Sequence, residues 1–172
     1  MDDFSTQRGE WELLGPGTKI DDGSLILYSK DNIYGEQGIT PYNAQDFVIE
    51  YEFLLEHSGM NPLTDFLFRA EEACKYVFEI TPVLEANSTA SWKISFGEEM
   101  ISSGSTNLYR PKETNKVTVV AQGDQFAIFL NNAPLAYIQD SACKGAGGAF
   151  FINIPQGEAW LFIDELRIWQ LE

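Results

Sequence analysis

Basic residues are scarce. Lys and Arg together number 11 against 26 Asp and Glu, a formal net charge of −15. A surface of that sign repels phosphate backbones, and no run of Lys or Arg offsets it, which argues against nucleic-acid binding and docking on anionic membranes. Its plainest use is solubility; its sharper use is attraction for Ca²⁺. Histidine is scarcer still: His57 stands alone, so a Cys/His metal set cannot be completed. The two cysteines, Cys74 and Cys143, form no CxxC pair. Both lie in short polar stretches ahead of apolar ones, compatible with one disulfide or two free thiols. No window approaches the ~18 unbroken apolar residues of a membrane-spanning helix. No stretch longer than about two turns passes the i, i+3, i+4 test for an amphipathic helix. The opening MDDFSTQRGEW is acidic and polar, unlike a secretory leader. With the abrupt end at Leu171-Glu172, it reads as part of a longer protein whose targeting segment lies elsewhere.

Aromatic residues, at 13% of 172, are abundant, and they suit pleated, half-buried surfaces. They recur with period two. In DFVIEYEFLL, Phe47, Ile49, Tyr51, Phe53 and Leu55 share one face and Glu50, Glu52 and Glu56 the other, the pattern of a half-solvated antiparallel strand. Similar runs occupy 24–29, 65–70, 76–80, 91–96, 116–122, 125–131, 135–138, 149–154 and 160–170. Between them stand turn signals: Asp22-Gly23, Gly123-Asp124, Asn131-Asn132 and the stretch 145–148. Two hairpins are expected, around Gly123-Asp124 and around Asn131-Asn132-Ala133-Pro134. No linker or repeat divides the chain, so residues 1–172 are expected to form one all-β, two-sheet antiparallel sandwich.

Several landmarks in a fixed order carry a resemblance. They are DDFSTQRGEWELL, Asp22-Gly23, DFVIEYEF, FLFRA followed by YVFEI, NKVTVVAQGDQFAIFLNNAPLA, GGAFFI and FIDELRIW. Together they resemble the concanavalin A-like jelly-roll superfamily, in particular its laminin G-like and 3-keto-disaccharide hydrolase-like bacterial branches. Asn132 stands where that pattern usually has Gly, a mild departure because Asn tolerates the left-handed turn conformation. The resemblance implies an antiparallel jelly roll, an extracellular or cell-surface setting, and sugar-binding, adhesive or glycoside-cleaving functions. Fold does not choose among these.

Two constellations could carry chemistry. Glu50 and Glu52, with Glu56 beyond, share a strand face at a spacing that suits a glycosidase carboxyl pair, though a solvated strand face gives the same pattern. The second follows from parity. If Phe66, Phe68, Phe78, Ile80, Trp92, Ile94 and Phe96 face the core, then Arg69, Glu79 and Lys93 face outward as a charge ladder on one sheet. By the same rule Phe151 and Asn153 face outward. A concave sheet lined by these residues suits a sugar, whose hydroxyls exchange hydrogen bonds with Arg, Glu and Asn and whose apolar face lies on a ring. A plain surface salt-bridge ladder is the alternative. Tyr28, Tyr34, Tyr42 and Trp160 are loop aromatics that extend such a groove or anchor loops. His57 reads as a surface loop residue. For calcium, Asp21, Asp22 and Asp164 are the candidates, none in an EF-hand pattern.

The expected function is non-catalytic recognition of a carbohydrate or glycan by the concave sheet, through Arg69, Glu79, Lys93, Phe151 and Asn153. No catalytic residue is assigned, no cofactor is expected, and a structural Ca²⁺ is left open. Two alternatives stand beside it. One is a glycoside hydrolase using Glu50 and Glu52 or Glu79; the other is a structural or protein-binding laminin G-like domain.

Overall fold

The computed structural model describes residues 13–14, 17–39, 44–71, 74–82 and 89–171. Among them every regular element is a strand. In chain order they are β1 (Leu13–Leu14), β2 (Lys19–Asp21), β3 (Ser24–Lys30), β4 (Gly35–Ile39), β5 (Phe47–Gly59), β6 (Leu63–Glu71) and β7 (Cys74–Pro82). Then come β8 (Ala90–Phe96), β9 (Glu99–Thr106), β10 (Asn115–Gln122), β11 (Gln125–Leu130), β12 (Ala133–Gln139), β13 (Gly147–Asn153) and β14 (Gly157–Gln170). They form two seven-stranded sheets, ordered β1-β4-β13-β6-β7-β8-β9 and β12-β11-β10-β5-β14-β3-β2. All the pairings are antiparallel. The chain passes repeatedly from one sheet to the other, so the interior is built from residues far apart in sequence. The opening motif DDFSTQRGEW lies outside the described residues.

Period-two patterning decides which side of each sheet is buried. On β5 the alternation is complete: Phe47, Ile49, Tyr51, Phe53 and Leu55 are buried, while the residues between them are not. Opposite them, the first sheet contributes Phe66, Phe68, Tyr76, Phe78, Ile80, Ile94, Phe150 and Ile152. Rings lock the two layers together. Tyr51 meets Phe150 at 4.9 Å and Phe66 at 5.2 Å, and Phe126 meets Tyr76 at 4.8 Å and Phe68 at 5.2 Å. Each such pair adds about 0.5–1.5 kcal/mol beyond the apolar area it buries.

Turns follow the residue chemistry. Gln122 pairs with Gln125 across Gly123-Asp124, as the sequence suggests. The β11–β12 turn is tighter than expected. Leu130 pairs with Ala133, so Asn131 and Asn132 alone form it, at φ 51° and 66°, and Pro134 belongs to an edge strand. Two successive left-handed residues match the strand twist, and Asn tolerates that conformation. Asn131 also receives the Lys116 N–H on its side-chain oxygen and donates to the Leu108 carbonyl. Its fully buried neighbour Asn115 accepts from Arg110 N and donates to the Arg110 and Glu113 carbonyls.

Register shifts interrupt several of the ladders, among them one in β14 and one in β6. In β14 the register with β5 shifts between Asp164 and Arg167, with Glu165 at φ 53°. Leu166 is thereby buried, and Arg167 and Trp169 turn outward. In β6 the shift falls between Phe68 and Glu71, with Arg69 at φ 49°. This overturns the expected place of Arg69. The extra residue resets the parity, and Arg69 is fully buried at the end of the sandwich. Its Nε donates to the Gln45 carbonyl, and one terminal nitrogen lies 3.6 Å from Asp46. Gly145 and Gly147 press against this bulge; a Cβ on either would stand 2.6 Å from a backbone oxygen of Arg69 or Ala70. Nearby, Cys74 and Cys143 form a disulfide across 69 residues, resolving the alternative that the sequence left open. Tyr76 donates to the Asp140 side chain there, and the Cys143 N–H donates to the Tyr76 oxygen.

Candidate functional site

The outer face of the first sheet is set by the residues between its core positions. Register aligns them into rows across the strands. Phe151 on β13 stands opposite Asp65 on β6, Asp65 opposite Glu79 on β7, Glu79 opposite Lys93 on β8, and Lys93 opposite Ser103 on β9. This row crosses five strands, roughly 19 Å at ~4.8 Å per strand. One step along, Asn153 is opposite Leu63, and Thr81, Ser91 and Ser105 continue the line on β7, β8 and β9. Three of the five sequence-derived site residues, Glu79, Lys93 and Phe151, therefore share a row, and Asn153 adjoins it. Arg69 does not join them, because the β6 bulge carries it to the interior.

The row's electrostatics divide its two carboxyls. Lys93 reaches Glu79 at 2.7 Å, the +/− contact that the parity rule suggested. Asp65 has neither an ion-pair partner nor a hydrogen bond on its Oδ1, although that atom is buried. Burial first, and the neighbouring Glu79 second, push its carboxyl up to about 6, against a smaller opposing pull from Lys93. A buried carboxylate beside a like charge favours its protonated form. Asn153 shows the same deficit: its Oδ1 is buried without a partner. Two neighbouring strands thus present unsatisfied oxygens at diagonal positions, which lie ~7–8 Å apart in such a pair. Phe151, half-buried, stands directly opposite Asp65 and two residues before Asn153 on β13, a ring on the same face.

Asp65 was the residue that sequence reasoning passed over. Its signal was available, since Phe66 and Phe68 inward imply Asp65 outward. What the sequence does not carry is the register that sets Asp65 between Phe151 and Glu79.

The remaining candidates lie elsewhere. Glu50 and Glu52 sit on the outer face of the second sheet, and Glu50 is held by Lys116 at 2.8 Å and Arg167 at 3.3 Å. This is the behaviour of a salt-bridged outer face. Tyr28 and Trp160 are strand residues of that same sheet, paired in register with rings 5.3 Å apart, so they do not extend the first sheet's face. Tyr34 is exposed beyond β3, and Tyr42 lies outside the described residues. His57 is on β5 opposite Ala159, half-buried rather than on a loop; burial lowers its pKa, with a smaller contribution from Lys112. Asp21 is ion-paired with Lys19 at 2.5 Å, and Asp22-Gly23 builds the β2–β3 turn. Among the described residues no three His, Cys, Asp or Glu side chains converge as a metal site. Among the same residues, no helix is long and apolar enough to cross a membrane.

Two antiparallel sheets in this order form a jelly-roll sandwich with the concanavalin A-like fold. No family model matches the chain, and no curated protein matches it. Solved structures do. An endo-acting O-glycanase of human gut bacteria, described as initiating mucin breakdown, superposes with a TM-score of 0.76 at 10% identity, over 99% of this chain and 98% of that one. The Bacillus licheniformis β-glucanase gives 0.73 at 7% identity, over 99% and 97%. The carbohydrate-binding module CBM66 of Bacillus subtilis gives 0.60 at 14% identity, over 92% and 94%. At these identities the likeness is one of fold.

Proposed function

We propose that the chain is a carbohydrate-binding module whose recognition face is the outer side of the first sheet. The observation that carries this reading is the pair of buried, unsatisfied acceptors, Asp65 Oδ1 and Asn153 Oδ1, set in register beside the Phe151 ring. Buried polar atoms are nearly always partnered. Two exceptions on one face, next to an aromatic platform, suit a ligand that brings donors and an apolar surface together. A sugar ring does both. The Glu79–Lys93 pair and the hydroxyls of Thr81, Ser91 and Ser103 extend the polar surface along the row. The similarity to a carbohydrate-binding module and to glycan-cleaving enzymes supports the ligand class. The disulfide suits an oxidising, extracellular or cell-surface setting.

Binding to a glycan array tests this. Phe151→Ala is expected to abolish the signal and Asn153→Ala to weaken it, whereas binding that persists in both variants overturns the assignment.

A second reading has one observation of its own. Asp65 and Glu79 face each other across β6 and β7, one pushed toward its protonated form and the other ion-paired with Lys93. Two carboxyls separated in this way are what glycoside hydrolysis uses as acid and as base or nucleophile. Release of reducing ends from array-positive oligosaccharides, abolished by both Asp65→Asn and Glu79→Gln, would favour it. Recognition stands first because it uses the whole row rather than two of its members.

A further inference from the structure

The proposed recognition face also specifies the ligand's charge, and the following rests on that reading. Among the described residues, the outward side chains of β6 and β13 with unpartnered buried atoms present oxygens, Asp65 Oδ1 and Asn153 Oδ1. The cation in the row, Lys93, is already engaged by Glu79 at 2.7 Å. Glu79 is thereby ion-paired but remains a like charge beside Asp65, which, one strand further on, has no cation of its own. We propose that the glycan bound here carries free primary amines, as an amino-sugar oligosaccharide does, with one ammonium group seated at Asp65 and Asn153 beside the Phe151 ring.

The chemistry is specific to an ammonium. A hydroxyl both donates and accepts, and could be satisfied at many points of a mixed polar face. An ammonium group only donates, three times, and gains most where acceptors are buried and one of them can become an anion. Its charge would also compensate an ionised Asp65 against Glu79, a role Lys93 does not fill from the far side of β7. N-acetylation removes that charge, and uronate or sulfate groups would add a third negative charge to the Asp65–Glu79 pair. The long-range field agrees, because a protein of net charge −15 draws a polycationic glycan toward itself.

Calorimetric titration of the intact chain at pH 6.5 with three tetrasaccharides tests the inference: the β-1,4-glucosamine tetramer, its fully N-acetylated counterpart, and cellotetraose. The glucosamine tetramer is expected to bind about tenfold more tightly than the other two, the scale of one charge-assisted hydrogen-bonded contact. Asp65→Asn should reduce that preference to within about twofold. Glu52→Gln, on the opposite sheet, should leave the preference intact. Equal affinity for the three sugars, with binding still dependent on Phe151, overturns the amine assignment and leaves the glycan-binding reading standing. A preference that survives Asp65→Asn shows attraction by net charge alone and also overturns it. Binding of none of the three overturns both.

Discussion

Asp65→Asn is expected to make the protein more stable at neutral and alkaline pH, and the amount follows from the carboxyl's surroundings. In the unfolded chain an aspartate titrates near 3.8; in the native state burial and Glu79 raise this to about 6. Between those values the native state holds a proton that the unfolded state has released. Stability therefore falls as pH rises through this window, and above pH ~6 the penalty is complete. A gap of about two pKa units corresponds to ~3 kcal/mol. The side chain is not wholly buried, so solvent screening lowers the expected penalty to about 1–3 kcal/mol. Asparagine matches the protonated acid in size and cannot ionise, so it removes the penalty without opening a cavity.

Urea unfolding followed by tryptophan fluorescence at pH 4, 5, 6, 7 and 8 measures the difference directly. Wild type and Asp65→Asn should nearly coincide at pH 4. They should separate through pH 5 and 6, and at pH 8 the variant should be more stable by about 1–3 kcal/mol. For a chain of this size each kcal/mol raises the Tm by roughly 2–4 °C, so a melting scan reads the same effect. A stability difference that is the same at every pH would refute the reasoning. So would a variant less stable than wild type at pH 8, which would mean that Asp65 holds a favourable interaction as an anion.

Two further outcomes concern the end of the sandwich. Asp46→Ala leaves the Arg69 guanidinium buried with its nearest carboxylate gone, at a cost of up to about 3 kcal/mol, whereas Arg69→Met removes the charge and keeps the volume at less than ~1 kcal/mol. Denaturant midpoints of the two variants decide it, and the reverse order would refute the account of Arg69 as a buried structural charge. Replacing Cys74 and Cys143 together by Ser releases a loop of 69 residues, for which chain entropy gives a ceiling of about 4.4 kcal/mol and practice about 2–4. Unfolding curves showing a loss under ~1 kcal/mol would mean that the unfolded chain is held compact by other means.

Much of this architecture follows from local pattern, and the exceptions lie where that pattern is weak, reset or overridden by register. Strands such as β5, β10 and β13 bury one side only, so period two is written plainly in them. The period-two runs leave out β1, β2, β4 and β9; EMISSGST of β9 lies at a sheet edge, pairs with β8 alone and has few apolar residues to alternate. The Arg69 bulge was equally silent. Its left-handed residue is an arginine rather than a glycine, so no turn chemistry marks the point where parity resets. Hence Glu79, Lys93, Phe151 and Asn153 were reachable from alternation, and Arg69 was misdirected by the same rule. Asp65 needed more than alternation, because its significance lies in neighbours 14 and 86 residues away along the chain, set opposite it by register.

That non-local placement bears on why the residue is there. Nothing in the fold requires an ionisable group at this position: β6 needs a small polar side chain pointing outward, and asparagine or serine would meet that need without the cost of burying a carboxylate beside Glu79. A group that lowers native stability over the neutral range, while leaving an oxygen unsatisfied, is a local conflict of the kind that proteins carry at functional sites. Buried Arg69 is the useful contrast. It too has terminal nitrogens without hydrogen-bond partners, yet it lies inside the sandwich with Asp46 3.6 Å away, where a glycan has no approach. Exposure of the surrounding face, rather than the deficit itself, distinguishes a recognition group from a structural charge. The two variants should therefore behave oppositely: Asp65→Asn gains stability and loses amine selectivity, while Arg69→Met leaves binding as it was.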